Sequence, residues 1–231
     1  MATIKEIVYD IKNIVRGGIQ SDDEILSDRQ IEFQINSLRA QYIRQDVNKR
    51  RSISANVKQL IHCLDVEQVS GDTCGLSADL KIMRSKQQIP NPIETSHEDL
   101  ITSIGPTGIL SIGFHMIPYN RAPWAGSNKY TKQMTCAFLL DSFIYVVGPE
   151  AELLEKIKVE GVWQDPRDIE NYLKDNGAPS YDGETEEYPI STSMLDLIKQ
   201  QMLASNMQPF IQTPSDTTNN SAADSQPNVR R

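Results

Sequence analysis

The chain has 231 residues, 39% of which are hydrophobic, and a formal net charge of −8. This length suits one core or two small modules, and the low apolar content indicates an elongated shape, a polar tail or a surface buried against a partner. The net charge argues against a polycation for bare nucleic acid, and three cysteines are too few for a disulfide scaffold. We expect a protein that folds in a reducing compartment, without a membrane span or signal peptide.

The first 54 residues have the periodicity of two helices. Apolar residues recur at helix spacing at Ile4, Ile7, Val8, Ile11, Ile31, Ile35 and Leu38. The sequence therefore predicts a helical hairpin over 1–54, with helices over 3–16 and 28–49.

The segment that joins these helices, GGIQSDDEILSDRQ at 17–30, reads as a bend. A helix precedes the glycines and acids follow them, which is unfavourable for a phosphate loop, and the acids lack the spacing of a calcium loop. We expect a glycine helix stop, a capped turn, and a second helix that starts with Ser27 and Gln30 in a capping box. The acids of this bend are also candidates for contacts with a neighbouring subunit: Asp22, Asp23 and Glu24.

Basic residues crowd the second half of the second helix and the residues after it. They are Arg39, Arg44, Lys49, Arg50 and Arg51. One interpretation is compensation of the helix dipole on a solvated face. The other is contact with DNA phosphates or with an acidic surface, and residues 150–199 offer such a surface, with 13 acids against 5 bases. In a ring, the basic helix end of one subunit would face the acidic side of the next.

Short β-rich runs follow from residue 55. They are LIHCLDVEQV, LKIMRS, DLITSIG, ILSIGFHMI, QMTCAFLL, FIYVV and KIKVEGVW. Turn residues at 105–108 and at 141–142 are expected hairpin tips, and Asp165-Pro166 is expected to open a short helix. Because runs of strands are separated from runs of helices, we expect an α+β fold with an antiparallel β-rich module over 55–174.

The last quarter of the chain is predicted to be a linker, a helix and a tail. Residues 175–189 have the composition of an acidic linker, and a helix over 190–204 is capped by Ser191 or Thr192. One face of this helix is apolar and carries Met194, Leu197, Ile198 and Met202. That face could pack back onto the protein or dock into a partner's groove, and the sequence favours neither. The polar residues of 205–231 predict a flexible tail.

No pattern indicates catalytic, metal-binding or cofactor-binding residues. Histidines and cysteines are scattered, and the adjacent His62 and Cys63 would point to opposite faces of a strand. No G-x-S-x-G elbow is present. A DNA-binding or regulatory protein that uses the N-terminal helices is the alternative function, although the acids beside the second helix oppose phosphate binding.

Several segments, in this order along the chain, resemble a family of phage proteins. They are EIVYDIKNIVRGGIQSDDEILSDRQIEFQINSLRAQYIRQD, IPNPIE, YNRAPW, FIYVV and KVEGVWQDP, which together span roughly residues 4–170. The set resembles the head-to-tail adaptor proteins, also called ring or connector proteins, of short-tailed, crAss-like bacteriophages. It is similar in layout to the tail tubular A gatekeeper proteins of podoviruses.

The resemblance implies a virion structural protein and not an enzyme. It implies a homo-oligomeric ring of about twelve copies that docks on the portal protein and anchors the next tail component. Such a ring encloses double-stranded DNA without sequence-specific binding, and it involves no cofactor and no membrane. The protein would be made in the host cytoplasm and would lie in the virion tail at the head–tail interface. The residues after 205 match no pattern of the family that we recognise.

Overall fold

The computed structural model describes residues 2–16, 27–49, 52–69, 82–96, 99–108, 111–125, 129, 131–149 and 151–206. Its α-helices are α1 (Ile4–Arg16), α2 (Asp28–Asn48) and α3 (Thr192–Gln201), and a π-helical turn follows at Met202–Asn206. Its strands are β1 (Gln59–Val69), β2 (Ile82–Ser85), β3 (Ile101–Pro106), β4 (His115–Met116), β5 (Cys136–Leu140), β6 (Phe143–Val147) and β7 (Lys156–Gly161). Short 3₁₀ helices occur at Ala55–Val57, Tyr119–Trp124, Ala151–Leu153 and Pro166–Asn171. The predicted α+β class is confirmed.

The seven strands form one mixed sheet in the order β3-β7-β1-β2-β6-β5-β4. Every pair is antiparallel except β4 and β5, which run parallel. The expectation of an antiparallel module is therefore wrong for this one pair, because the chain between β4 and β5 is a long connection and not a hairpin. The strand expected at ILSIGFHMI is reduced, among its described residues, to His115–Met116.

The two edges of this sheet approach each other. The backbone N–H of Phe114 donates to the carbonyl of Ile104 at 2.6 Å. A Cβ added to Gly105 would lie 3.2 Å from the Cα of Gly113, so only a residue without a side chain fits this approach comfortably. The sheet thus curls toward a closed barrel, in which strands distant in the sheet order lie on opposite walls.

Alternation along the strands sorts the side chains into a barrel interior and an outer layer. In β6, Ile144 belongs to the interior cluster and Tyr145 to the outer one. The 3₁₀ helix Tyr119–Trp124 covers the outer layer, with the Tyr119 ring centroid 5.9 Å from that of Phe138 in β5. The β4–β5 connection is therefore held against the outer wall of the barrel.

The three α-helices form a second layer with its own core. Their apolar faces meet in a cluster that includes Ile7, Ile11, Ile31, Ile35, Ile198 and Met202. Ion pairs tie the helices together, since Lys12 in α1 pairs with Asp28 in α2, and Lys199 in α3 pairs with Asp10 in α1. The same cluster contains Val162, which follows β7, so the helices rest directly on the β-rich part. Within the described ranges, no helix has the length and apolar character needed to cross a bilayer.

The predicted helix starts at Asp165-Pro166 and Ser191 agree with the structure, whereas the cap predicted at Ser27 does not form. The Ser191 hydroxyl accepts the N–H of Met194 at the start of α3. Asp165 accepts the N–H of Arg167 at 3.0 Å before the short helix that was expected there. Ser27 precedes α2, but its side chain makes no capping bond, so the predicted capping box does not form. The bend at 17–26 lies outside the described residues.

The segment 175–189, expected to be a linker, is packed against the rest of the protein. Tyr181 and Tyr188 are buried in it. The Tyr188 hydroxyl donates to Asn36 Oδ1 at 2.6 Å, and the Tyr188 N–H donates to the carbonyl of Ala2 at 3.1 Å. The acids of the segment misled the prediction, because its tyrosines provide apolar surface that the protein buries.

The turn between β5 and β6 contains two residues with positive φ, Asp141 at 52° and Ser142 at 64°. The predicted hairpin tip is therefore confirmed, and its geometry costs a side chain about 1 kcal/mol relative to glycine. We expect Ser142→Gly to raise the free energy of unfolding by about 0.5–1 kcal/mol, as measured by urea denaturation. The control is Thr107→Gly in an exposed bend without positive φ, where added freedom of the unfolded chain should lower stability. A loss of stability in both variants would contradict the expectation.

Candidate functional site

The predicted contact residues of α2 divide between the core and the surface, and Arg39 belongs to the core. It is 0% exposed. Its Nε donates to the carbonyl of Pro189 at 2.7 Å, its Nη1 to that of Trp163 at 2.8 Å, and its Nη2 to that of Val57 at 3.3 Å. The guanidinium also lies over the Tyr188 ring, 5.8 Å from its centroid. The expectation that Arg39 contacts a subunit or DNA is therefore wrong, because its donors are used inside the protein.

A signal for this burial is present in the sequence. Arg39 continues the four-residue spacing of Ile31, Ile35 and Ile43, so it occupies the apolar face of α2. Its charge favours the solvated face and its position favours the core, and the position prevails. A basic residue in register with an apolar stripe is better interpreted as a buried donor.

The other described members of the basic group are on the surface. Arg44 and Lys49 are exposed, and the Arg44 Nε donates to the carbonyl of Glu94 at 2.7 Å. Lys49 is the C-cap residue of α2. The remaining predicted contact residues lie outside the described residues, and they are Asp22, Asp23, Glu24, Arg50 and Arg51.

The apolar face of α3 packs back onto the protein. Met194, Ile198 and Met202 are buried in the helical core. Leu197 is 49% exposed. The expectation of a partner-docking face is therefore wrong for the three buried residues, and the alternative of internal packing holds. Periodicity alone could not decide this, since an internal face and a docking face have the same spacing.

Exposed apolar side chains concentrate in the connection from β3 to β5. Among the described residues, five of the eleven exposed large hydrophobic side chains lie there: Ile112, Met116, Tyr119, Trp124 and Met134. We name these five residues, with the bases between them, the aromatic strip. Trp124 is 72% exposed, although tryptophan is normally well buried. Clustering of this kind marks an interaction surface, whereas single exposed apolar residues are ordinary.

The aromatic strip is basic in an acidic protein. No aspartate or glutamate occurs between Asp99 and Asp141. The same interval contains Arg121, Lys129 and Lys132, all of which are exposed. A segment that combines exposed apolar side chains with cations can attract an acidic partner and then bury aromatic anchors against it. The prediction from the sequence missed this segment, although the absence of acids marks it.

The backbone of the strip is hydrogen-bonded at the start of its 3₁₀ helix. The N–H of Ile117 donates to the carbonyl of Ala137 at 2.9 Å, and the N–H of Arg121 donates to that of Pro118 at 2.9 Å. Ala122 is buried in the outer layer. The described part of the strip around Tyr119–Trp124 is therefore held against β5, which lowers the conformational entropy lost when a partner binds there.

The described residues hold no arrangement suited to nucleophilic catalysis or metal binding. Burial raises the pKa of the Cys63 thiol, which also donates to Asp175 Oδ1 at 3.4 Å. Burial likewise raises the pKa of Cys136, so neither thiol is activated as a thiolate. In this part of the chain, no group of three His, Cys, Asp or Glu side chains could hold a metal ion. Cys74 lies outside the described residues.

A polar cavity of about 260 Å³ lies between the start of β1 and the segment before α3. Its lining includes Gln59, Ser180 and Tyr181, each with a side-chain oxygen that has no hydrogen-bond partner. These three oxygens are all but inaccessible to solvent. A ligand in the cavity could not reach them without a rearrangement, so they do not define a binding site.

Nearly the whole chain matches the model of one known protein family. Residues 6–225 match the family model described as Phage tail ring protein 2. The match includes both layers of the fold and extends over most of the residues after 205, which our sequence patterns did not connect to the family. No curated protein sequence matches the chain.

Proposed function

Because the chain belongs to the phage tail ring protein 2 family of crAss-like phages, we propose that it is a subunit of the ring that joins the head to the tail. The family makes it a structural component of the virion tail that assembles into a ring with other tail components. The finer proposal is a homo-oligomer of about twelve copies that acts as the head-to-tail adaptor. The observation that carries this function is the family match over residues 6–225.

We propose further that the ring docks on the portal protein and supports the next tail component. Its central opening would extend the DNA channel and enclose double-stranded DNA without reading its sequence. The net charge of −8 supports this role, because strong phosphate contacts would hold DNA that has to slide. The exposed Arg44 and Lys49, with Arg50, Arg51 and the acids at 22–24, are proposed secondary contacts with a neighbouring subunit or the channel.

The proposed role is structural and not catalytic. Desolvation raises the pKa of the Cys63 and Cys136 thiols, which disfavours the reactive thiolate form of both. Residues 1–54 and 190–204 would form the helical half of each subunit, and residues 55–174 the β-rich half. Synthesis would take place in the host cytoplasm, before assembly into the virion.

The oligomeric state of the purified full-length chain tests the proposed function. We expect mass photometry and negative-stain electron microscopy to show closed rings, alone or after mixing with the portal protein of the same phage. Their mass should be a multiple near twelve of the 26.0 kDa chain. An unrelated portal protein is the control and should not be bound.

A different set of results would favour the alternative function. A chain that remains a monomer with and without the portal protein would contradict the ring. Tight, salt-dependent shifting of duplex DNA by that monomer would favour a DNA-binding protein that uses the N-terminal helices.

A further inference from the structure

We propose that the aromatic strip of one copy docks on the acidic outer face, residues 165–187, of a second copy, and that this contact repeats around the ring. The inference rests on the proposed function and identifies the surfaces that build the ring. It assigns a partner surface to apolar side chains that are exposed to solvent in the single chain. The contact is heterologous, because each copy contributes a different surface to each of its two neighbours.

The two surfaces lie on opposite walls of the barrel. The aromatic strip covers β4 and β5, since Tyr119 packs on Phe138. The acidic face covers β1 and β7, since Asp175 contacts both Cys63 in β1 and Lys156 in β7 at 3.4 Å. In the sheet order, β2 and β6 separate the two walls on one side and β3 on the other. Surfaces on opposite walls suit a head-to-tail ring of many copies, in which each subunit turns little relative to the last.

The acidic face carries the negative charge that complements the basic aromatic strip. Residues 165–187 contain eight acids against two bases. Asp168 is exposed, and partial burial together with the neighbouring Asp165 raises its pKa. A cation from a second copy would offset the repulsion between the carboxylates of Asp165 and Asp168. Leu173 is exposed in the same face and supplies an apolar contact for an aromatic side chain.

The chemistry of the strip matches such a partner. Arg121, Lys129 and Lys132 would meet carboxylates at the rim of the contact, where charges direct the encounter. Trp124 and Tyr119 would provide the buried centre, the role in which aromatic residues contribute most to interfaces. Both surfaces are held by backbone hydrogen bonds, as in the bond from the Ser180 N–H to the Tyr172 carbonyl.

DNA is a weaker candidate for the same strip. Three bases would neutralise few phosphates, and the chain as a whole is acidic. Aromatic side chains gain most from single-stranded bases, whereas the bases of a duplex are already stacked. A second copy offers both carboxylates and apolar surface, so it fits the strip better.

Charge reversal in the full-length chain tests the contact. We expect Arg121→Glu with Lys132→Glu to raise the concentration needed for half-assembly by at least about tenfold, measured by mass photometry. Reversal of the acidic face by Asp168→Lys with Asp175→Lys should have a similar effect. A chain with both pairs of substitutions should regain rings, because each reversed surface meets a reversed partner.

Two further variants keep the test independent of folding. Trp124→Ala removes a side chain that is 72% exposed, so it should weaken assembly by about tenfold or more while the chain still unfolds in one cooperative transition. Arg29→Glu with Lys86→Glu makes the same change in net charge at exposed positions outside both surfaces, and it should leave assembly unchanged.

The outcomes separate the two proposals. If the wild-type chain forms no ring, alone or with the portal protein, the proposed function fails and this inference fails with it. If the wild type and the strip variants form rings equally well, the inference alone is overturned. Strip variants that keep the ring but lose duplex DNA binding would also overturn it, since the strip would then contact DNA.

Discussion

Replacement of Arg39 by methionine is expected to lower the free energy of unfolding by about 2–4 kcal/mol. The guanidinium donates to three backbone carbonyls that belong to separate parts of the chain. Methionine fills similar space but leaves those acceptors buried without a donor, at about 1–3 kcal/mol each. Part of that cost is offset, because the variant no longer has to bury a charge. Urea denaturation followed by circular dichroism would measure the difference.

Arg44→Met is the matched control for Arg39. It lies on the same helix, and its Nε also donates to a backbone carbonyl, that of Glu94, but on the surface where water can replace it. We expect its effect to stay within about 0.5 kcal/mol. Arg39→Lys should also lower the free energy of unfolding relative to the wild type, since a single ammonium cannot donate to all three carbonyls as the guanidinium does. Equal stability of Arg39→Met and the wild type would show that the three carbonyls do not depend on Arg39.

Truncation of Ile198 to alanine is expected to lower the free energy of unfolding by about 2–5 kcal/mol. Ile198 is fully buried in the helical core, at the contact of α3 with the other two helices. The substitution removes apolar contacts and leaves a cavity that neighbouring side chains fill only in part. The same urea titration applies, and the slope of the transition should stay unchanged if the helix remains docked.

Leu197 provides the control for Ile198 at the next position of the same helix. Its side chain is 49% exposed, so Leu197→Ala should change stability by less than about 1 kcal/mol. A similar loss in the two variants would mean that α3 does not distinguish an inner from an outer face. A loss confined to Ile198 establishes α3 as part of the fold.

Local patterns predicted the regular elements well. The helices α1 and α2 follow from the spacing of isoleucines, and the β5–β6 hairpin follows from two β-rich runs around Asp141-Ser142. These features depend on residues close in sequence. The two-residue strand β4 could not be predicted with its orientation, because its parallel pairing is set by β5, a distant segment.

Features that depend on partners far along the chain were the ones that prediction missed. Arg39 looked like a surface base, because the carbonyls that surround it come from residues 57, 163 and 189. Residues 175–189 looked like a linker, because the surface that buries Tyr188 is supplied by α2 and Ala2. Charge and composition describe a residue, but its environment is a property of the fold.

The candidate site was only partly accessible to sequence reasoning. The absence of acids between Asp99 and Asp141 is visible in the sequence, as is the acidity of residues 165–187. That these segments occupy opposite walls is not visible, since it requires the order of the strands around the barrel. The surfaces could therefore have been named in advance, but not their relative position.

The ion pair between Asp10 and Lys199 joins residues that are 189 positions apart. The ribosome therefore releases α1 and α2 long before it makes the helix that completes their core. During that interval the isoleucine faces of both helices lack a permanent partner, so an incomplete chain would be prone to aggregation and degradation. The helical layer can therefore fold only after α3 has been translated, because residues 192–201 supply the apolar face that completes the core of α1 and α2.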